Sequence, residues 1–321
     1  MKRTTGWCSR TNSRACRSTS CANTGRSWDQ LSTAWNRFWK ADTVNTMLLT
    51  AIAMLAFAAN SLLCRMALGA GLVDAASFTS VRIISGAVML GLIVLPRLRS
   101  QGRPKVDLRA VAMLFAYMIF FSFAYLSLSA GTGALILFGA VQVTMFVVGL
   151  RDGEHFSKSS WAGLALAVAG LVYLVSPGVT APNPAGALLM AVAGVAWGFY
   201  SLFGRMAADP MESTAYNFIY SAPLALAASL VFLKDLHITN TGIALAVASG
   251  AVASGLGYFV WYAALRGLTT IRAATVQLSV PVIAAIGGVL LLGEEVNLRL
   301  VLASVTTLGG IAIVLRNSQA D

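Results

Sequence analysis

From Thr46 to Leu315 the sequence is a train of apolar runs parted by short polar breaks. The runs are Thr46–Leu68, Ala75–Leu95, Leu108–Ser129, Ala134–Leu150, Ser160–Ser176, Ala187–Ala207, Tyr216–Leu233, Gly242–Leu265, Ala273–Leu292 and Leu300–Leu315. A helix needs about 20 apolar residues to cross a bilayer, and about 17 is the lower limit. Such runs predict an all-α integral membrane protein of ten transmembrane helices, with the fourth, fifth and tenth short for the task. The breaks between them are turn-like, for example "GLVD", "AGTG", "ADPMEST" and "GEEVN".

Composition agrees. The chain is 57% hydrophobic and 11% charged, whereas a soluble domain carries about 25% charged residues. A formal charge of +11 could suggest nucleic acid as a partner. The cations, however, sit mostly at the ends of apolar runs, where they set orientation. The expected partners are therefore the lipid bilayer and a small-molecule substrate, with no nucleic acid.

Lys and Arg give that orientation. With the N-terminus placed in the cytoplasm, inside segments hold nineteen of the 23 basic residues. Outside segments hold only Lys234 and Arg299, and Arg65 and Arg82 lie within helices. This positive-inside bias predicts both termini in the cytoplasm.

The sequence also repeats itself. "NSLLCRMA" (Asn60–Ala67) returns as "YSLFGRMA" (Tyr200–Ala207), an offset of 140 residues. Gly153-Glu154 and Gly293-Glu294 recur at the same offset, as do "GLALAVAGLVYLV" from Gly163 and "ASVTTLGGIAIVL" from Ala303. Five helices per unit is odd, so the second copy enters the membrane upside down. Two inverted five-helix repeats follow, residues 46–176 and 177–321. Exchanging the tilts of two such halves gives the two access states of an alternating-access transporter.

Pro281 and the Gly293-Glu294 pair, within "VPVIAAIGGVLLLGEEVNLRLVLASVTTLGGIAIVL" (Val280–Leu315), resemble the EamA branch of the drug/metabolite transporter superfamily. The likeness covers about residues 47–316, and departs from the family at Val141, where a proline is usual. It implies export of amino acids and related metabolites, or of drugs, across the bacterial inner membrane.

Polar groups inside a membrane are costly and tend to face the bundle interior. Arg82 stands about two turns into the second run, on one face with Phe78, Ser85 and Met89. Its alternatives are an anion-binding group for a carboxylate or a structural arginine. Arg65 lies nearer a helix end, where it can snorkel. Tyr117, Phe121 and Tyr125 form a stripe on the third run, matched by Ser254, Tyr258 and Tyr262 on the eighth with Trp261 beside them. Phe57 and Asn60 match Trp197 and Tyr200; Gln142 and Gln277 come from the fourth and ninth runs; Asn217 and Tyr220 come from the seventh. The expected substrate-binding set is Asn60, Arg82, Tyr117, Tyr125, Gln142, Trp197, Tyr200, Asn217, Tyr258, Trp261, Tyr262 and Gln277. Aromatic walls with uncharged hydrogen-bonding groups suit a small amphiphilic solute.

All twelve acids fall in loops or at helix ends, and both histidines, His155 and His237, are in loops. That disfavours a proton-exchanging carboxylate and a purely cationic substrate. No catalytic residue, metal or cofactor is expected. HExxH, GxSxG and Gly-rich phosphate motifs are absent, so a membrane-embedded enzyme is the weaker reading, alongside an assembly subunit. Multidrug or quaternary-amine efflux is the alternative transport reading. "GVAWG" (Gly194–Gly198) is a GxxxG, a packing motif that also admits a homodimer. Residues 1–45, rich in Arg, Ser and Thr and holding Cys8, Cys16 and Cys21, are expected to be disordered and to precede the true start at Met47.

Overall fold

A computed structural model describes residues 43–98, 106–152, 157–178, 180–207, 209–268, 273 and 276–317. The reading of residues 1–45 falls almost wholly outside them. Ten helices appear among the described residues. They are α1 (Thr43–Gly69), α2 (Ala75–Leu98), α3 (Leu108–Ala124), α4 (Ala130–Arg151) and α5 (Lys158–Val175), then α6 (Pro184–Arg205), α7 (Pro210–Val231), α8 (Asn240–Leu265), α9 (Ser279–Leu292) and α10 (Leu298–Asn317). Eight are long and apolar enough to cross a membrane; α3 and α9 are shorter apolar helices.

Several boundaries differ from those the runs suggest, and capping explains why. "AGTG" is not a break: Ser129 accepts a hydrogen bond from the Thr132 N–H, so α4 begins at Ala130 and spans 22 residues. The turn from Tyr125 to Ser129 shortens α3 to 17 residues. α7 starts at Pro210 rather than near Tyr216, because Asp209 caps the Met211 and Glu212 amides and Pro210 needs no amide partner in the first turn. Val141 lets α4 run unbroken. Its counterpart Pro281 falls in the first turn of α9, where its missing N–H is no loss.

Helix contacts come in mates under exchange of the two halves. α1 packs on α8 and α6 on α3; α1 on α9 and α6 on α4; α2 on α8 and α7 on α3. α2–α7, α4–α9 and α5–α10 pair across the exchange. The fold is thus built as the inverted five-helix duplication requires. Gly194 and Gly198 press against Leu137, Ala140 and Thr144 of α4, so the motif that admitted a homodimer is occupied within the chain.

α8 has no regular counterpart to α3. Its middle, Ala248–Leu256, is a π-helix, a widened turn that often accompanies function. A Cβ on Gly250 would strike the carbonyl oxygen of Arg82 and the Ser85 hydroxyl, so only glycine lets α8 lie this close to α2.

A candidate transport site between the two halves

Four helices contribute to one buried hydrogen-bond chain. Ser249 Oγ on α8 donates to Asn60 Oδ1 on α1 at 2.7 Å. Asn60 Nδ2 donates to the Tyr117 hydroxyl on α3 at 3.3 Å. Arg82 Nη2 on α2 donates to the same hydroxyl at 3.0 Å. Tyr117 therefore accepts twice, and among the described residues no acceptor takes its own O–H. Arg82 is 0% exposed, and its Nε and Nη1 have no hydrogen-bond partner there. Its guanidinium instead lies over the rings of Phe121 (4.8 Å) and Tyr117 (5.4 Å).

Tyr117 and Phe121 form one wall of a cavity of about 20 Å³, in which Asn60, Trp197, Tyr258 and Gln277 also take part. Trp197 stacks on Tyr258 at 5.5 Å and meets Tyr117 at 4.8 Å. The rings fill most of the space, leaving room for about one water. No carboxylate lines it.

Five of the twelve expected residues thus meet here: Asn60, Tyr117, Trp197, Tyr258 and Gln277. Trp261 stands at the edge, 5.8 Å from the Phe57 ring. Arg82 is placed one layer behind the wall rather than in it, screened by the two rings it lies against. Tyr200 and Tyr262 belong to an adjoining cluster on Thr214, at 3.2 and 2.9 Å. Asn217, buried, stands beside Tyr200 in that cluster.

Tyr125, Gln142 and Tyr220 do not line the cavity. Tyr125 is fully buried at the α3–α4 turn, its hydroxyl on the Ala130 carbonyl at 3.4 Å and its ring against Phe121 at 4.8 Å, one layer behind the wall. Gln142 lies in a separate crevice lined by α4, α5 and α10 residues such as Phe146 and Leu164. Tyr220 points outward, 48% exposed. Sequence reasoning passed over Ser249 and Thr214. Both are single hydroxyls, and only the positions of their partners on other helices reveal them.

Arg65 does not snorkel. Its Nε contacts Glu294 Oε1 at 3.2 Å and its Nη1 donates to the Tyr125 carbonyl at 3.1 Å. Glu294 also accepts from the Ala130 amide at 2.9 Å, joining the ends of α1, α9 and α4. Gly293, at φ 63° in the left-handed region, ends α9 so that Glu294 can turn in.

Comparison with known proteins agrees with this architecture. Residues 184–316 match the EamA-like transporter family. An uncharacterized protein of Pseudomonas aeruginosa is 51% identical over 270 residues, 84% of this chain and 94% of that one. The chain belongs to the EamA-like transporter family. A "Probable amino-acid metabolite efflux pump" of Salmonella typhimurium is 27% identical over 244 residues, 69% of this chain and 81% of that one. A solved crystal structure superposes with a TM-score of 0.62 at 18% identity over 88% of this chain and 99% of its own, a likeness of fold. As an EamA-family protein, the chain is a multi-pass membrane transporter.

Proposed function

We propose that this transporter exports a small carboxylate-bearing solute, an amino acid or a close relative, from the bacterial cytoplasm by alternating access. The observation that carries the reading is the Arg82–Tyr117–Asn60 cluster: donors converge on a cavity wall and no acid offsets them. A buried cation in a low-dielectric site favours an anionic group. Because the Tyr117 oxygen is engaged by two donors, its proton is left to point at the solute's carboxylate. Arg82 acts through Tyr117 and holds two further nitrogens, Nε and Nη1, in reserve behind the rings. The amino-acid efflux pump among its relatives supports the same class. The positive-inside count supports cytoplasmic termini, which puts Arg65 and Glu294 at the periplasmic end. The cavity is small, so the rings must part before a solute is held.

Arg82→Lys keeps the charge but loses the planar fork. It is expected to weaken transport in proteoliposomes while the protein inserts normally. Arg82→Ala is expected to lose discrimination between an amino acid and its amide. Wild-type discrimination by Arg82→Ala at normal protein levels would refute the carboxylate role.

A further inference from the structure

The molecule balances its buried guanidinium with aromatic faces instead of carboxylates, at 4.8 Å from Phe121 and 5.4 Å from Tyr117. The rest of the cavity lining presents a second set of faces, beginning with Trp197 beside Tyr117. Trp197 and Tyr258 stack with 27° between their planes, and Phe57 tilts at 59° to Tyr258 with centroids 6.0 Å apart. Among the described residues no cation lies over these three rings. We propose that they form a cation subsite for the same solute, so that the substrate is a zwitterion and N-methylated, betaine-type zwitterions are accepted alongside primary amino acids. This deepens the carboxylate reading above and rests on it.

The chemistry of the wall selects for this. A carboxylate-lined ammonium site needs N–H donors and so rejects methylation. Ring faces attract positive charge through their quadrupole and need no N–H, and methyl groups add apolar contact. Besides Tyr117, Tyr258 and the indole N–H of Trp197, the polar side chains that line the cavity among the described residues are Asn60, Ser61, Ser254 and Gln277, all neutral. Of these, Asn60 already accepts from Ser249. The fixed charge of Arg82 repels a cation that brings no carboxylate of its own. The solute would therefore lie with its carboxylate at Tyr117 and its cationic nitrogen between Trp197 and Tyr258, exchanging ring–ring for ring–cation contact.

The test is ligand-induced change in melting temperature of the purified full chain. The standard amino acids are screened first. The one with the largest shift is then compared with its N,N,N-trimethyl derivative, its 2-hydroxy acid and its amide, and with choline. The amino acid and its trimethyl derivative are expected to bind within about threefold of each other, the hydroxy acid and choline at least about tenfold more weakly. Trp197→Ala and, as a second variant, Tyr258→Leu should each weaken both zwitterions without weakening the hydroxy acid. A trimethyl derivative that binds at least about tenfold more weakly than its parent, or a hydroxy acid that binds as well as the parent, overturns the cation subsite. An amide that binds as well as the acid overturns the carboxylate reading instead, and a screen with no shift from any amino acid overturns both.

Discussion

Tyr117 is where the site's polar order is decided. It receives Arg82 and Asn60 and lines the cavity with its ring. Tyr117→Phe would preserve the ring and strand both donors. With Nε and Nη1 already unpartnered, Arg82 would lose the one side-chain hydrogen bond it has among the described residues. Removing a partner from a buried charged group costs about 1.5–3 kcal/mol, so the variant should melt measurably lower. Transport should fall further than stability does, because the same hydroxyl is proposed to meet the solute. A Tyr117→Phe protein that transports at the wild-type rate would show that Arg82 does not work through this group.

At the level of elements, the ends of α1, α4 and α9 are held by one ion pair. Arg65 and Glu294 have side chains only 26% and 15% exposed, and both make further hydrogen bonds to backbone. Such a pair is less screened than a surface one. A double-mutant cycle of Arg65→Met and Glu294→Met, read by melting temperature, should return a coupling of about 0.5–3 kcal/mol that changes little with added salt. Additive single losses would mean that each side chain acts only through its backbone contacts. The π segment of α8 is the other informative element. It has no counterpart in the regular helix α3, so the two halves differ where Ser249 and Gly250 approach α1 and α2.

Across the whole molecule, the segments after α1 and α7 are tied together. Val73 and Ile238 form an isolated antiparallel bridge, flanked by Asp74 N–H to the His237 carbonyl at 2.9 Å and Thr239 N–H to the Leu72 carbonyl at 3.0 Å. Val73 and Ile238 are thus the non-hydrogen-bonded pair, whose Cα atoms lie about 4.5 Å apart, within the range a disulfide spans. If access alternates, this face must open during each cycle. Oxidised Val73→Cys/Ile238→Cys should stop transport, and reductant should restore it. Continued transport by fully cross-linked protein would mean that the two segments stay together throughout the cycle.

The sequence by itself determined the membrane class, the number of helices and the duplication. These depend on run length and on an offset of 140 residues, both of which are properties of one dimension. It also located the helices that carry the site, since intramembrane Tyr, Trp, Asn and Arg are scarce enough to be conspicuous. Tertiary structure alone decided which of them meet. Tyr125 and Tyr117 share one stripe, but Phe121 lines the cavity in front of Tyr125, whose ring packs behind it at 4.8 Å. Gln142 and Gln277 both sit on candidate helices, yet at the 140-residue offset Gln277 corresponds to Leu137, which also lines the cavity, and Gln142 to Val282, which faces outward. Arg82 could be read as a wall residue only until the rings of Phe121 and Tyr117 were seen in front of it. Helical periodicity fixes the face a residue occupies; depth behind that face depends on side chains of other helices, and these come together only on folding.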